Sequence, residues 1–176
     1  KIGNVNQNLY QITLATAIQA EAEANYGVWA YLAEVGYDMS LPFPKPLMSD
    51  KPERMHRPSS FPLGAAKRQI ENFSKGALRI PDVVILTVKA AGIIAMRQSG
   101  VIEWDRFYPE GANIERVVDV KFGKDDWFAG QYQAYLKIAP GKVREIRDRD
   151  CSCDTRKPPN GGVKIPVYPP IKNPMP

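Results

Sequence analysis

Asp82, Asp119 and Lys121 are the residues whose types and spacing could do chemistry in this chain. Asp82 stands in Arg79-Ile80-Pro81-Asp82-Val83-Val84-Ile85, and the other two in Arg116-Val117-Val118-Asp119-Val120-Lys121-Phe122. Both are β-branched runs of strand length with charged side chains embedded in them. An uncompensated carboxylate among apolar side chains is costly. Laying the two runs side by side in one sheet satisfies both, because Asp82, Asp119 and Lys121 then converge at one end of it. Two close carboxylates repel and raise each other's pKa, so a divalent cation between them is the natural stabiliser. Lys121, two residues along, shares the face of Asp119.

A hard cation such as Mg²⁺ takes oxygen ligands and keeps waters in its remaining positions, and Asp82, Asp119 and the backbone carbonyl of Val120 are the oxygens on offer. These are parts for phosphodiester hydrolysis, in which water is the nucleophile and Lys121 orients it or stabilises the transition state. A plainer reading makes Asp82 a turn residue after Pro81, and Asp119 and Lys121 an ion pair on a solvated sheet. An acid-x-Lys triplet alone is a weak signal in a chain with this many acids and lysines. Its context strengthens it: both halves lie in Val/Ile runs preceded by Arg, and a helix with a polar face follows the second.

In these residues the chain resembles the PD-(D/E)XK nuclease superfamily, Pro81-Asp82 matching the first half of the motif and Asp119-Val120-Lys121 the second. The longer run Asn113-Ile114-Glu115-Arg116-Val117-Val118-Asp119-Val120-Lys121-Phe122, followed by Gln131-Tyr132-Gln133-Ala134-Tyr135-Leu136, is similar to the VRR-NUC branch, in the form found as toxic C-terminal domains of type VI secretion effectors. The resemblance covers residues 79–139. It implies an α/β fold with a mixed central sheet flanked by helices, restriction-endonuclease-like, and a Mg²⁺- or Mn²⁺-dependent endodeoxyribonuclease. Its metal ligands would be Asp82, Asp119 and Val120, joined by an acid from the first helix, where Glu21 stands slightly ahead of Glu23 and Glu34. A glutamine on the helix after the acid-x-Lys strand would support the water or the scissile phosphate: Gln131 first, Gln133 second, with Tyr135 nearby. The resemblance also implies a PAAR-type delivery module N-terminal to this domain and type VI secretion into the cytoplasm of target bacteria. In the producer, where the protein would be cytoplasmic, it implies a cognate immunity protein. The segment between the two motif halves is longer than in compact members of the superfamily, which leaves the strand pairing open, and Glu103 and Asp105 are spare acids within it.

The chain has 176 residues and a net charge of +5, with a pI near 9.2. That balance is compatible with a polyanion such as DNA without requiring one. The distribution says more: Lys67, Arg68, Lys75 and Arg79 precede the first motif strand, Lys124 follows the second, and Lys142, Arg144, Arg147, Arg149, Arg156 and Lys157 lie beyond. Lys67, Arg68, Arg79 and Lys124 are the candidates for backbone contacts. No run is apolar for the length that a membrane helix needs.

The elements that must position these residues are legible in part. Residues 6–35 read as one long Ala-rich helix stopped by Gly36, with Leu14, Ile18, Val28 and Leu32 on one stripe together with Glu21 and Asn25. Residues 41–62 carry six prolines and read as an extended loop, holding the single histidine, His56, as a solvated residue. Residues 63–75 suggest a short basic helix, and 89–111 fit either strand or helix. Asp125 or Asp126 can cap a helix starting near Trp127, and Val143–Ile146 reads as a last strand. Residues 1–157 make one domain, and 158–176 a Pro-rich extended tail. Cys151 and Cys153 have no partners for a zinc site and read as reduced thiols. Three other readings stay open: a housekeeping repair or restriction nuclease, a non-catalytic nucleic-acid-binding module, and a protein-interaction module. The nuclease reading predicts that Asp119→Ala abolishes cleavage and spares the fold by relieving carboxylate repulsion.

Overall fold

The computed structural model describes residues 3–147 and Asp150. Cys151, Cys153, Arg149, Arg156, Lys157 and the tail 158–176 lie outside them. The fold is α/β. Helix α1 (Gly3–Ala24) leads into strands β1 (Tyr31–Ala33), β2 (Tyr37–Asp38) and β3 (Lys45–Pro46), then helix α2 (Pro62–Gln69) and strands β4 (Leu78–Arg79) and β5 (Val83–Leu86). Helix α3 (Ala90–Ser99), strand β6 (Ile114–Lys121), helix α4 (Gln131–Ile138) and strand β7 (Val143–Arg147) complete it.

The main sheet has the order β1-β5-β6-β7, and β3-β2-β4 form a second, smaller one. The two motif runs are neighbours, antiparallel, with Val83 opposite Val118 and Val84 opposite Val117. One more step of that register sets Asp82 against Asp119. Strand β7 runs parallel to β6 after the α4 crossover, Asp119 opposite Glu145 and Lys121 opposite Arg147.

Alternation along β6 fixes the layers. Val118 and Val120 join Val83 on one face, where Leu14 and Ile18 of α1 cover them. Ile114 and Val117 face the main core with Val84, Leu86, Ile93, Met96, Tyr135 and Ile138. By the same period of two, Asp119 and Lys121 follow Val117 onto the α4 side. A one-residue slip would exchange these faces, and each apolar side chain so exposed would forfeit about 1.5–3 kcal/mol.

The first helix is shorter than its pattern predicts. Asn25 ends it, donating from its side-chain amide to the Glu21 carbonyl at 2.7 Å and accepting from buried Arg97. Tyr26 and Gly27 then turn left-handed, at φ 53° and 78°. A Cβ on Gly27 would meet the Arg57 side chain, which can shift aside, so it is the left-handed φ that calls for glycine here. Val28 and Leu32 therefore belong to the loop and to β1, their apolar spacing serving the sheet core rather than a helical stripe.

The proline-rich segment is folded onto the body. It holds β3, a 3-10 turn at Pro52–Arg54 and a bridge between Met48 and Pro58. Residues 90–99 are helix, closed by left-handed Gly100. Helix α4 starts at Gln131 rather than near Trp127, because Gly130 is left-handed at φ 75°. No helix among the described residues is long and apolar enough to cross a membrane.

Candidate active site

The end of β6 carries a buried ion pair. Asp119 and Lys121 are 3% and 2% exposed, and Lys121 Nζ stands 2.6 Å from Asp119 Oδ2. Oδ2 thus faces the ammonium directly, as one half of a buried ion pair. The reading of these two as a pair on a solvated sheet is therefore excluded: they pair, but in the interior.

Gln131, on the first turn of α4, organises the pair. Its amide donates to Asp119 Oδ1 and lies within reach of the Tyr135 hydroxyl, both at 3.1 Å. Its oxygen accepts from the Phe128 backbone N–H at 3.1 Å and lies 3.5 Å from Lys121 Nζ. The Tyr135 hydroxyl donates to the Ile80 carbonyl at 3.0 Å, tying α4 to the segment just before Asp82. Trp127 closes one side, with its ring centroid 5.0 Å from Lys121 Nζ. Gln133 is exposed on another face of α4 and takes no part.

Asp82 approaches from β5. Its Oδ2 accepts the Val120 N–H at 2.6 Å, an attachment that pins the carboxylate to the β6 backbone. Burial pushes Asp82 up from 3.8 to about 6; the Val120 N–H opposes the rise, Asp119 adds to it, Lys121 opposes it and Glu34 adds a last contribution. Burial also raises Asp119, against the pull of Lys121. Both acids are thus held where a compensating positive charge would be favoured.

The third acid near this site comes from a different place than the helix reading predicts. Glu21 is exposed on α1, while a cavity of ≈ 50 Å³ beside Asp82 is lined by Gln11, Leu14, Ala15 and Glu34. Glu21 lies six residues beyond Ala15, about 9 Å along the axis, and does not line that cavity. Glu34 follows β1, with its backbone N–H bonded to the Asp82 carbonyl at 3.1 Å. Its φ of 52° is left-handed, a conformation that non-glycine residues adopt at a cost and often at functional sites. Glu23, the remaining alternative, is paired with Arg54 and Arg57. On the nuclease reading of the sequence, Glu34→Gln is expected to lower metal-dependent cleavage about 10- to 100-fold, in the range for groups supporting a metal site. It should also shift the acid limb of the pH profile downward, whereas Glu21→Gln should match the wild type in both readouts.

The basic candidates divide. Arg79 lines a groove of ≈ 370 Å³ together with Leu78, Ile80, Phe128, Gln131 and Tyr135. Lys124 is exposed on the turn after Lys121. Lys67 and Arg68 are exposed on α2, Arg68 paired with Asp50 at 2.9 Å, and neither lines the cavity beside Asp82 or the groove at Arg79. Glu103 and Asp105 sit in a 3-10 turn, Glu103 paired with Arg106 at 3.3 Å. His56 is half-buried, its ring centroid 3.5 Å from that of Trp104, beside a separate cavity of ≈ 60 Å³. Burial and then Arg57 and Arg54 lower its pKa, so it is a packed neutral ring rather than a solvated one.

Comparison with family models, with curated proteins and with solved structures finds no match. Among the described residues no group of three or more His, Cys, Asp or Glu side chains is gathered to hold a metal ion. The donor set still suits Mg²⁺, which is commonly held by one or two carboxylates together with substrate phosphate rather than by an all-protein cage. Asp82, raised by burial, supplies an anionic oxygen in need of compensation, while Asp119 Oδ2 is already paired with Lys121 Nζ at 2.6 Å.

Proposed function

We propose that this chain is a metal-dependent nuclease hydrolysing DNA phosphodiester bonds, with Mg²⁺ or Mn²⁺ held by Asp82, Asp119 and the Val120 carbonyl. The observation that carries this reading is the junction of Asp119, Lys121 and Gln131, with Asp82 fastened to the Val120 N–H. When bound, the cation would lower the pKa of water and neutralise charge on the phosphate. Lys121 is a buried, fixed ammonium, so it stabilises developing negative charge without reorganising. Gln131 holds Asp119 Oδ1 and thereby the orientation of its carboxylate. Tyr135 fixes Gln131 and the Ile80 carbonyl, which keeps the two halves of the motif in register. Arg79 and Lys124 supply positive charge for the strand backbone.

The resemblance over residues 79–139 supports placing this activity in a type VI effector toxin. In that role a PAAR-type module would carry it, the cytoplasm of a rival bacterium would receive it, and an immunity protein would guard the producer. Supercoiled plasmid incubated with the purified chain should be nicked with Mg²⁺ or Mn²⁺ and left intact with a chelator. Cleavage indifferent to the chelator, or none from folded protein, would overturn the reading.

A further inference from the structure

We infer that Phe128 is a stacking platform for one unpaired base, so that the substrate strand is unstacked beside the scissile phosphate. This rests on the nuclease reading of the adjoining acids and names the form of nucleic acid that they would meet.

Phe128 is 74% exposed, a large apolar ring left in water at the mouth of the ≈ 370 Å³ groove. Its position is not that of a loose loop residue. The Phe128 N–H donates to Gln131 Oε1 at 3.1 Å, and its carbonyl accepts the Gln131 N–H at 2.9 Å. The ring centroid lies 5.8 Å from Lys121 Nζ. One residue thus fixes both the carboxylate of Asp119 and the backbone that presents the aromatic face. The groove volume is of the order that holds a small ligand, roughly 300–1,000 Å³, and so is large enough for one nucleotide. Leu78, Ile80 and Phe128 give it apolar walls, and Arg79 gives it a cation whose field reaches Tyr135. Apolar walls with one arginine complement a base joined to a phosphate. A paired base shows only its edges in the grooves, whereas an unpaired one offers a π-face, which aromatic side chains bind regardless of sequence.

The test uses the full 176-residue chain with chelator present, so that binding is read without cleavage. Oligonucleotides carry 2-aminopurine in a single strand, opposite a one-base gap, or fully paired. Tighter binding to the first two, with fluorescence quenched on binding, is expected. Phe128→Ala should weaken that binding about 5- to 150-fold, the effect of losing one stacked base, and Phe128→Trp should retain it. Thermal midpoints should be equal, since the ring is exposed. Equal binding by Phe128→Ala, or preference for the paired oligonucleotide, would overturn the inference. Stacking without cleavage under any divalent cation would instead defeat the nuclease reading and leave the base site standing.

Discussion

Asp119→Ala is expected to abolish cleavage and also to destabilise the protein by about 3–5 kcal/mol, the usual cost of leaving one half of a buried ion pair without its partner. In a domain of this size that is a fall of roughly 6–20 °C in thermal midpoint. The sequence predicts that the fold is spared, because it sets Lys121 on the face of Asp119 without showing that the two are buried against each other. The structure changes the sign: Lys121 Nζ lies 2.6 Å from Asp119 Oδ2 and both side chains are buried, so alanine strands an ammonium in the core. Removing both charges together tests this. Asp119→Asn combined with Lys121→Met should recover most of the midpoint, since an apolar replacement of a buried pair is often neutral, while cleavage stays absent. A double variant as unstable as Asp119→Ala would show that the charge pairing is not what the fold needs there.

Asp82→Asn should give the opposite pairing of effects, a more stable protein with no cleavage. Asp82 titrates near 6 in the folded protein against an ordinary value of 3.8. Between those values the folded state holds more protons than the unfolded one, so stability falls as pH rises through that window. Above about pH 6 the loss is complete and amounts to about 3 kcal/mol. Asparagine cannot ionise, yet it still accepts the Val120 N–H, so at pH 8 with chelator its midpoint should exceed that of the wild type. Cleavage should follow the ionised acid, rising through about pH 6 in the wild type. A divalent cation at about 100 times its Kd returns about 2.7 kcal/mol to the wild type and little to the variant. Equal midpoints at pH 8, or a cation response retained in Asp82→Asn, would place the metal ligand elsewhere.

The sequence by itself determined that Asp119 and Lys121 act from one strand face. The period of two puts Asp119 and Lys121 on one face, and two Val/Ile runs that each carry an acid are satisfied together as adjacent strands, a pairing that the β5–β6 register then decided. Gln131 was preferred to Gln133 because the resembling pattern has a glutamine on the helix after the acid-x-Lys strand, and the structure places Gln131 against Asp119. Other features had no such signature. The end of α1 depends on Arg97 reaching Asn25, a contact between residues far apart in the chain. An apolar spacing that fits a helix continued through Leu32 although the chain had already turned back into a strand. Glu34 could be seen only as one acid among several, since its nearness to Asp82 comes from β1 pairing with β5. His56 and Phe128 differ for the same reason: a proline-rich segment looks solvated in sequence and an aromatic run after a helix cap looks like core, and only the tertiary structure decided that the His56 ring packs on Trp104 and that the Phe128 ring is exposed. Local pattern reports periodicity and propensity; long-range contact decides burial, and burial sets the charge state of each acid and the cost of removing it.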